Sequence, residues 1–217
     1  MKIAIIGAGA AGIIAAITAK RLNKNLQIDL FDANKGIGKK ILASGNGRCN
    51  ISNNQITSKN YLGENPDFTS FALKEFDFKA FEKFCKSIGL LLDIKPSGKV
   101  YPLSNEAKSV TNLLELALQE LGVNIYLESM ITDIEKIDDK FNITTKENEY
   151  KAYDKVVISN GLGAAPQLNA NESGLEFASK FGHSFNPTYP SLVGLKTDNT
   201  YNGKLQGVKK ECNVSLF

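Results

Sequence analysis

The sequence has few of the residues that carry metal and nucleophilic chemistry. Its three cysteines, Cys49, Cys85 and Cys212, form no CxxC pair, and it has a single histidine, His183. Odd and widely spaced cysteines argue against a disulfide framework or a zinc site. One histidine argues against a histidine-ligated metal or a Ser-His-Asp hydrolase. We therefore predict no metal site, and this cysteine usage favours a reducing, cytoplasmic setting.

An excess of charge of one sign is also lacking. The 217 residues include 26 Lys and Arg against 23 Asp and Glu, which gives a net charge of +3. Such a weak balance does not indicate a nucleic-acid partner. Hydrophobic residues make up 42% of the chain and charged residues 23%. These values are typical of a globular protein of one or two domains with a sizeable core.

The long uncharged run over residues 3–19 does not suit a membrane span. A spanning helix needs about 20 apolar residues, and Gly7, Gly9 and Gly12 interrupt this run. A secretory signal usually starts with more positive charge than the single Lys2 provides. We therefore expect neither a membrane anchor nor secretion, and the glycines need another explanation.

The N-terminal segment has the order strand, glycine loop, helix, strand and acid. Residues 3–6 are apolar and β-rich, as in a strand buried in a parallel sheet. The GxGxxG of residues 7–12 precedes a helical stretch to about Leu22, and a second strand over 26–31 ends at Asp32. In this context GxGxxG is the dinucleotide-binding fingerprint. A glycine-rich turn in an unrelated α/β protein is the alternative.

Each fingerprint residue has a physical task. Gly7 permits a tight turn out of the strand, Gly9 lets the backbone approach a pyrophosphate, and Gly12 lets the helix pack on the sheet. The unpaired N–H groups at the helix start attract that anion. Asp32 can accept hydrogen bonds from both ribose hydroxyls, and it disfavours a 2′-phosphate.

The fingerprint alone does not distinguish FAD from NAD, but a second loop adds information. Residues 43–50 include two glycines, two amides, a hydroxyl and an arginine. A polar cofactor requires such a density of hydrogen-bonding groups, whereas an ordinary surface loop is the alternative.

These motifs resemble a known family. GAGAAG at 7–12, GKKILASGNGRCNIS at 38–52, GKVYP at 98–102 and Gly182-His183 are similar to the bacterial FAD-dependent oxidoreductases labelled aminoacetone-oxidase-like or BaiN-like. The resemblance covers most of the chain and implies FAD as the cofactor. It also implies an α/β, Rossmann-like, three-layer FAD/NAD(P)-binding fold with a central parallel sheet and a β-meander.

The resemblance also assigns roles to residues. It places GAGAAG on the pyrophosphate, Asp32 on the adenosine ribose, and Lys40 with residues 44–50 near the phosphate, ribitol or flavin. It places Ile131 near the adenine. The candidate cofactor-binding residues are Gly7, Gly9, Ala10, Ala11, Gly12, Asp32, Ala33, Lys40, Ser44, Gly45, Asn46, Gly47, Arg48, Cys49, Asn50, Ile131 and Gly161.

The chain departs from the family in three respects. The family's Ala-Thr-Gly-Gly motif is replaced by Ser-Asn-Gly-Leu-Gly at 159–163, and its glycine-, serine- and threonine-rich stretch is replaced by the sequence of residues 166–174. Relatives are also much longer. We therefore expect an N-terminal portion, with an incomplete FAD-binding domain over 1–186 and the start of an inserted β-rich substrate domain over 187–217. No residue qualifies as a catalytic acid or base, since His183 and Cys49 are each better explained as structural.

Further patterns outline the rest of the first domain. Helices are predicted from Asn65 to about Glu75, after Asp77 as far as Gly89, and over 104–122. A hairpin is predicted over 90–103, a parallel strand over 123–127, and a three-stranded meander over 130–153, followed by a last parallel strand at 156–159. A capping box at 173–176 predicts a helix ending at Phe181, and 208–217 reads as a strand.

The leading hypothesis is a FAD-dependent oxidoreductase whose flavin accepts a hydride from a small organic substrate or from NAD(P)H, with no nucleic acid and no membrane as partner. The alternatives are a catalytically inactive nucleotide-binding or interaction module and an NAD-dependent Rossmann dehydrogenase. The sequence leaves the substrate and the oligomeric state open.

Overall fold

A computed structural model describes residues 1–189, and most of its elements follow from short apolar runs separated by glycine and polar turns. The strands are β1 (Lys2–Ile6), β2 (Gln27–Phe31), β3 (Ser52–Asn53), β4 (Leu92–Ile94), β5 (Lys99–Pro102), β6 (Asn124–Tyr126), β7 (Ile131–Ile137), β8 (Lys140–Thr145), β9 (Glu149–Tyr153) and β10 (Lys155–Ile158). The α-helices are α1 (Ala10–Leu22), α2 (Lys39–Ala43), α3 (Ser70–Glu75), α4 (Phe78–Ser87), α5 (Ala107–Glu120) and α6 (Ser173–Lys180).

The central sheet has four parallel strands in the order β10-β1-β2-β6. Since β1 pairs with both β2 and β10, the carboxyl ends of these three strands lie side by side at one edge. Ligands of open α/β sheets bind at this edge. The parallel strands predicted at 3–6, 26–31, 123–127 and 156–159 are confirmed, and the predicted meander is the antiparallel sheet β7-β8-β9.

The two faces of the central sheet have separate cores, because side chains alternate along a strand. Ile5 and Leu30 are buried with α1, α4 and α5, whereas Ile6 and Phe31 are buried against the meander. The molecule is therefore a three-layer α/β Rossmann-like fold of helices, parallel sheet and meander, as the sequence predicts.

One carboxylate is buried in this architecture. Asp29 of β2 is 2% exposed, and its oxygens accept hydrogen bonds from the Tyr153 hydroxyl at 2.7 Å and the Asn124 amide at 2.7 Å. Burial, followed by the hydrogen bond to Asp29, raises the pKa of Tyr153 above its usual value. The neutral hydroxyl therefore remains a donor to the carboxylate and joins the meander to the sheet.

The predicted helix start at Asp77 is confirmed, and those at Asn65 and at 173–176 differ in the structure. Asp77 caps α4 as expected, with Oδ1 accepting from the Ala80 N–H at 2.8 Å, but Asn65 makes no such cap and precedes a 3₁₀ turn, Pro66–Thr69. The capping box predicted at 173–176 is wrong. Glu172 is the N-cap residue of α6, and the Ser173 hydroxyl is hydrogen-bonded to Asn171 and Asn160 instead.

Two further observations concern the domain organisation. Residues Met1–Phe185 form one compact unit. The β-rich domain predicted over 187–217, including its strand at 208–217, lies outside the described residues except for its first three, and it stays a prediction. None of the helices within residues 1–189 combines the length and apolar character that crossing a bilayer requires.

Candidate functional site

The glycine loop packs so closely that two of its positions admit no side chain. Gly7 has φ +100°, and a Cβ there would lie 2.6 Å from the carbonyl oxygen of Ser159. A Cβ on Gly12 would lie 2.0 Å from the Gly7 carbonyl oxygen and 2.6 Å from Ser159 Oγ. The turn after β1 and the approach of α1 to the sheet therefore both depend on glycine.

Gly9 differs, because within residues 1–189 no atom beyond its own chain neighbours lies within 4 Å of the position that its Cβ would take. It is the N-cap residue of α1, which begins at Ala10. The first N–H groups of a helix have no partner within the helix and carry partial positive charge. Residues 7–11 line a cleft of about 240 Å³. The open space at Gly9 therefore adjoins a helix end whose free N–H groups suit an anion.

Asp32 is held beside the glycine loop by three hydrogen bonds. Its Oδ2 accepts from the Ala8 N–H at 2.8 Å. Its Oδ1 accepts from the Asn34 N–H at 2.8 Å and from Asn34 Nδ2 at 2.9 Å. The carboxylate at the end of β2 is thus oriented before any ligand arrives, and it lines the same cleft as the glycine loop.

Two contacts cross the cleft and join the segment after β2 to the segment after β10. Lys40 Nζ donates to the Leu162 carbonyl oxygen at 2.8 Å, and Asn169 Nδ2 donates to Asn34 Oδ1 at 3.0 Å. Lys39 Nζ also donates to Asn34 Oδ1 at 3.0 Å. Sequence reasoning missed Asn34 and Asn169, because nothing in their local pattern distinguishes them from surface amides.

A second, smaller cavity of about 70 Å³ adjoins the first and shares Gly7, Asp32 and Asn160 with it. Ala33 and Ile131 also line it. The resemblance places Ile131 near the adenine and Asp32 on the ribose. The structure brings both residues to this one small cavity.

The second predicted cofactor loop, residues 43–50, contributes to a different cavity. Ser44, Cys49 and Asn50 line a largely apolar cavity of about 350 Å³, together with Lys40 and Ala10 from the glycine-loop side. Cys49 is 3% exposed. Residues 45–48 line none of these three cavities. The other predicted cofactor residues thus lie around the glycine loop or around this apolar cavity, and residues 45–48 belong to neither group.

The remaining chemistry-bearing groups have structural environments. Cys85, which also lines the apolar cavity, is a free thiol, and its burial raises its pKa to about 12. His183 is exposed, and its backbone N–H donates to the Ala178 carbonyl oxygen at 3.2 Å, closing the end of α6. Within residues 1–189 no His, Cys, Asp and Glu side chains gather into a group that could hold a metal ion.

These features define the class of the protein. A parallel strand, a glycine turn, a helix pointing its N-terminus into a cleft, and an acid at the end of the next strand are the parts of a Rossmann-type dinucleotide-binding domain. The family model described as "HI0933-like protein Rossmann domain" matches residues 1–211. The chain therefore belongs to the HI0933-like family, which confirms the resemblance to the BaiN-like proteins.

Two curated relatives are similar over most of the chain. A "3-dehydro-bile acid delta(4,6)-reductase" of Clostridium scindens is 36% identical over 216 residues, which are 100% of this chain and 52% of the relative. A "Ribosomal RNA dihydrouridine synthase" of Haemophilus influenzae is 31% identical over 193 residues, which are 87% of this chain and 47% of the relative. The chain thus spans about half the length of these relatives.

Among solved structures, THI4 of Thermovibrio ammonificans matches with a TM-score of 0.53 at 13% sequence identity. The match covers 84% of this chain and 62% of that one. At this identity the match shows a shared fold alone, which agrees with the Rossmann architecture described above.

Proposed function

We propose that this chain binds FAD and acts in a FAD-dependent oxidoreductase. The observation that carries the proposal is the cleft in which the open face of Gly9, the N-terminus of α1 and Asp32 converge. Bound flavin would supply hydride transfer between the enzyme's substrates, and the polypeptide would bind and orient it.

The residues of the cleft suit a dinucleotide. Around the glycine loop, backbone N–H groups at the start of α1 would bind the diphosphate. Asp32 would accept from the adenosine ribose, with Ala33 and Ile131 beside the adenine in the adjoining cavity. A side chain at position 9 would occupy the open space that a closely approaching phosphate needs, so glycine suits this position.

The charged side chains that line this cleft are Asp32, Lys39 and Lys40. The two lysines would oppose the negative charge of a diphosphate, and each is held in place by a hydrogen bond to a neutral oxygen rather than by a carboxylate. These groups bind and position the cofactor, and we assign no catalytic acid or base among them.

The relatives support redox chemistry without indicating the substrate. One is named a reductase of a 3-dehydro-bile acid, and the other is named for dihydrouridine in ribosomal RNA. Since these named substrates differ so widely, family membership does not predict which substrate this chain's enzyme uses. We propose a small organic molecule as the substrate and NAD(P)H as the electron donor.

The test is an absorbance spectrum of the purified chain, taken before and after incubation with FAD and removal of free nucleotide. A retained flavin band, bleached on addition of NAD(P)H, is the expected result. A retained band that no nicotinamide or organic donor bleaches would instead favour a nucleotide-binding module. Tight NADH binding without flavin would favour an NAD-dependent dehydrogenase, and binding of neither nucleotide would refute the proposal.

A further inference from the structure

We propose that the side-chain carbonyl of Asn160 is a second ribose acceptor, so that Asp32 and Asn160 each bind one hydroxyl of the adenosine ribose. This inference rests on the proposed function, because it concerns the same cleft. It assigns a specificity-determining role to a residue that stands in the segment where the chain departs from its family.

The hydrogen bonds around Asn160 determine which way its amide faces. Asn171 Oδ1 must be an acceptor, because the Ser173 backbone N–H points at it from 3.1 Å. The Ser173 hydroxyl, 2.7 Å from the same oxygen, must therefore donate its proton there. Having no second proton, it can only accept from Asn160 at 3.2 Å. The Nδ2 group of Asn160 thus faces Ser173, and Oδ1 faces away.

That oxygen is buried and has no partner. Within residues 1–189, Asn160 Oδ1 is the buried side-chain oxygen or nitrogen that lacks a hydrogen bond. On its other side the residue is confined, since a Cβ on Gly174 would lie 3.2 Å from Asn160 Cβ. Buried polar atoms almost always have a partner, so an acceptor held in this manner indicates a donor from a ligand.

The position of Asn160 beside the same cavity as Asp32 favours the ribose over the diphosphate as the donor. Asn160 and Asp32 both line the small cavity and the glycine-loop cleft. A diphosphate offers no proton to an acceptor at neutral pH, whereas a ribose diol offers two. Of the roughly four acceptor positions on a carboxylate, three on Asp32 are taken by Ala8 and Asn34. One position remains on Asp32, so the second hydroxyl requires another acceptor.

The experiment compares ADP with 2′-deoxy-ADP and 3′-deoxy-ADP, by calorimetric titration of this chain and its variants. We expect the wild-type protein to lose roughly fivefold to tenfold in affinity on removal of either hydroxyl. Asn160→Leu should become insensitive to one of the two hydroxyls and remain sensitive to the other. Asp32→Ala should show the complementary pattern, so either variant alone suffices if the other fails to fold.

Ser173→Ala is the matched control. It removes the hydrogen bond that orients the Asn160 amide but keeps Oδ1, so it should reduce the sensitivity to one hydroxyl less than Asn160→Leu does. If Asn160→Leu keeps the wild-type response to both deoxy analogues, this inference is wrong while the proposed function stands. If the wild-type chain binds neither ADP nor FAD, the proposed function is refuted as well.

Discussion

The two glycines Gly9 and Gly12 respond to the same substitution in opposite ways. Gly12→Ala would place a methyl group 2.0 Å from the Gly7 carbonyl oxygen, a backbone atom that cannot rotate away. Overpacking typically costs 1–3 kcal/mol, and here α1 itself must shift. We expect a loss of at least about 3 kcal/mol in the free energy of unfolding, and a melting temperature lower by roughly 6–12 °C.

Gly9→Ala should leave the fold intact. The backbone at Gly9 has φ −79° and ψ −175°, which alanine adopts readily, and its methyl group would enter open space. Lower unfolded-chain entropy and a poorer N-cap residue have opposing effects, so the unfolding free energy should change by less than about 1 kcal/mol. FAD affinity should nevertheless fall about 10- to 100-fold, because hydrogen bonds from the α1 N-terminus to the diphosphate are lost.

The assay pairs urea unfolding of the ligand-free variants with fluorescence titration of FAD. Gly36→Ala is the control, since its methyl group also meets nothing within 4 Å and Gly36 does not line the glycine-loop cleft. Wild-type FAD affinity in Gly9→Ala would refute the placement of the diphosphate. Wild-type stability in Gly12→Ala would refute the packing argument.

Three further outcomes follow from groups in the core or at the cleft. Tyr153→Phe removes a donor from the buried Asp29 and should lower the unfolding free energy by about 1.5–3 kcal/mol in urea; unchanged stability would contradict this. Asp32→Ala leaves the Ala8 N–H without its partner. The free energy of unfolding should therefore fall by about 1–3 kcal/mol, and FAD affinity should fall as well. If neither quantity falls, the result contradicts the proposed site. Because burial raises the pKa of Cys85 from 9.0 to about 12, the unfolded thiol ionises first. Stability is therefore lost as pH rises through that interval, by up to about 1.4 kcal/mol per pH unit, and Cys85→Ala should show a shallower decline in urea titrations at pH 8 to 10.

Local sequence patterns predict much of the fold. The β-rich run before Gly7, the helical stretch after Gly9 and the acid at position 32 lie where the sequence predicts them. Asp77 caps α4 as its neighbours suggest. Such features are set within a few residues, by side-chain periodicity and by the backbone angles that only glycine tolerates.

The capping box at 173–176 shows where local reasoning fails. A serine before a glutamate three residues later has the right pattern, but the Ser173 hydroxyl has a competing acceptor two residues upstream and a donor on the strand end at Asn160. Hydrogen bonds to distant partners are decided by tertiary packing, so the pattern does not decide this helix start.

The sequence by itself determined the class of fold, the succession of strand, helix and strand near the N-terminus, and the position of the glycine loop. These features follow from patterns among residues that are close together in the chain. Only the tertiary structure decided that Asn34 and Asn169 join across the cleft. It also decided that Asn160, with its buried and unpaired side-chain oxygen, lines the same small cavity as Asp32. These amides come from segments more than a hundred positions apart. They meet because parallel strands bring their carboxyl ends to one edge, which no local pattern encodes.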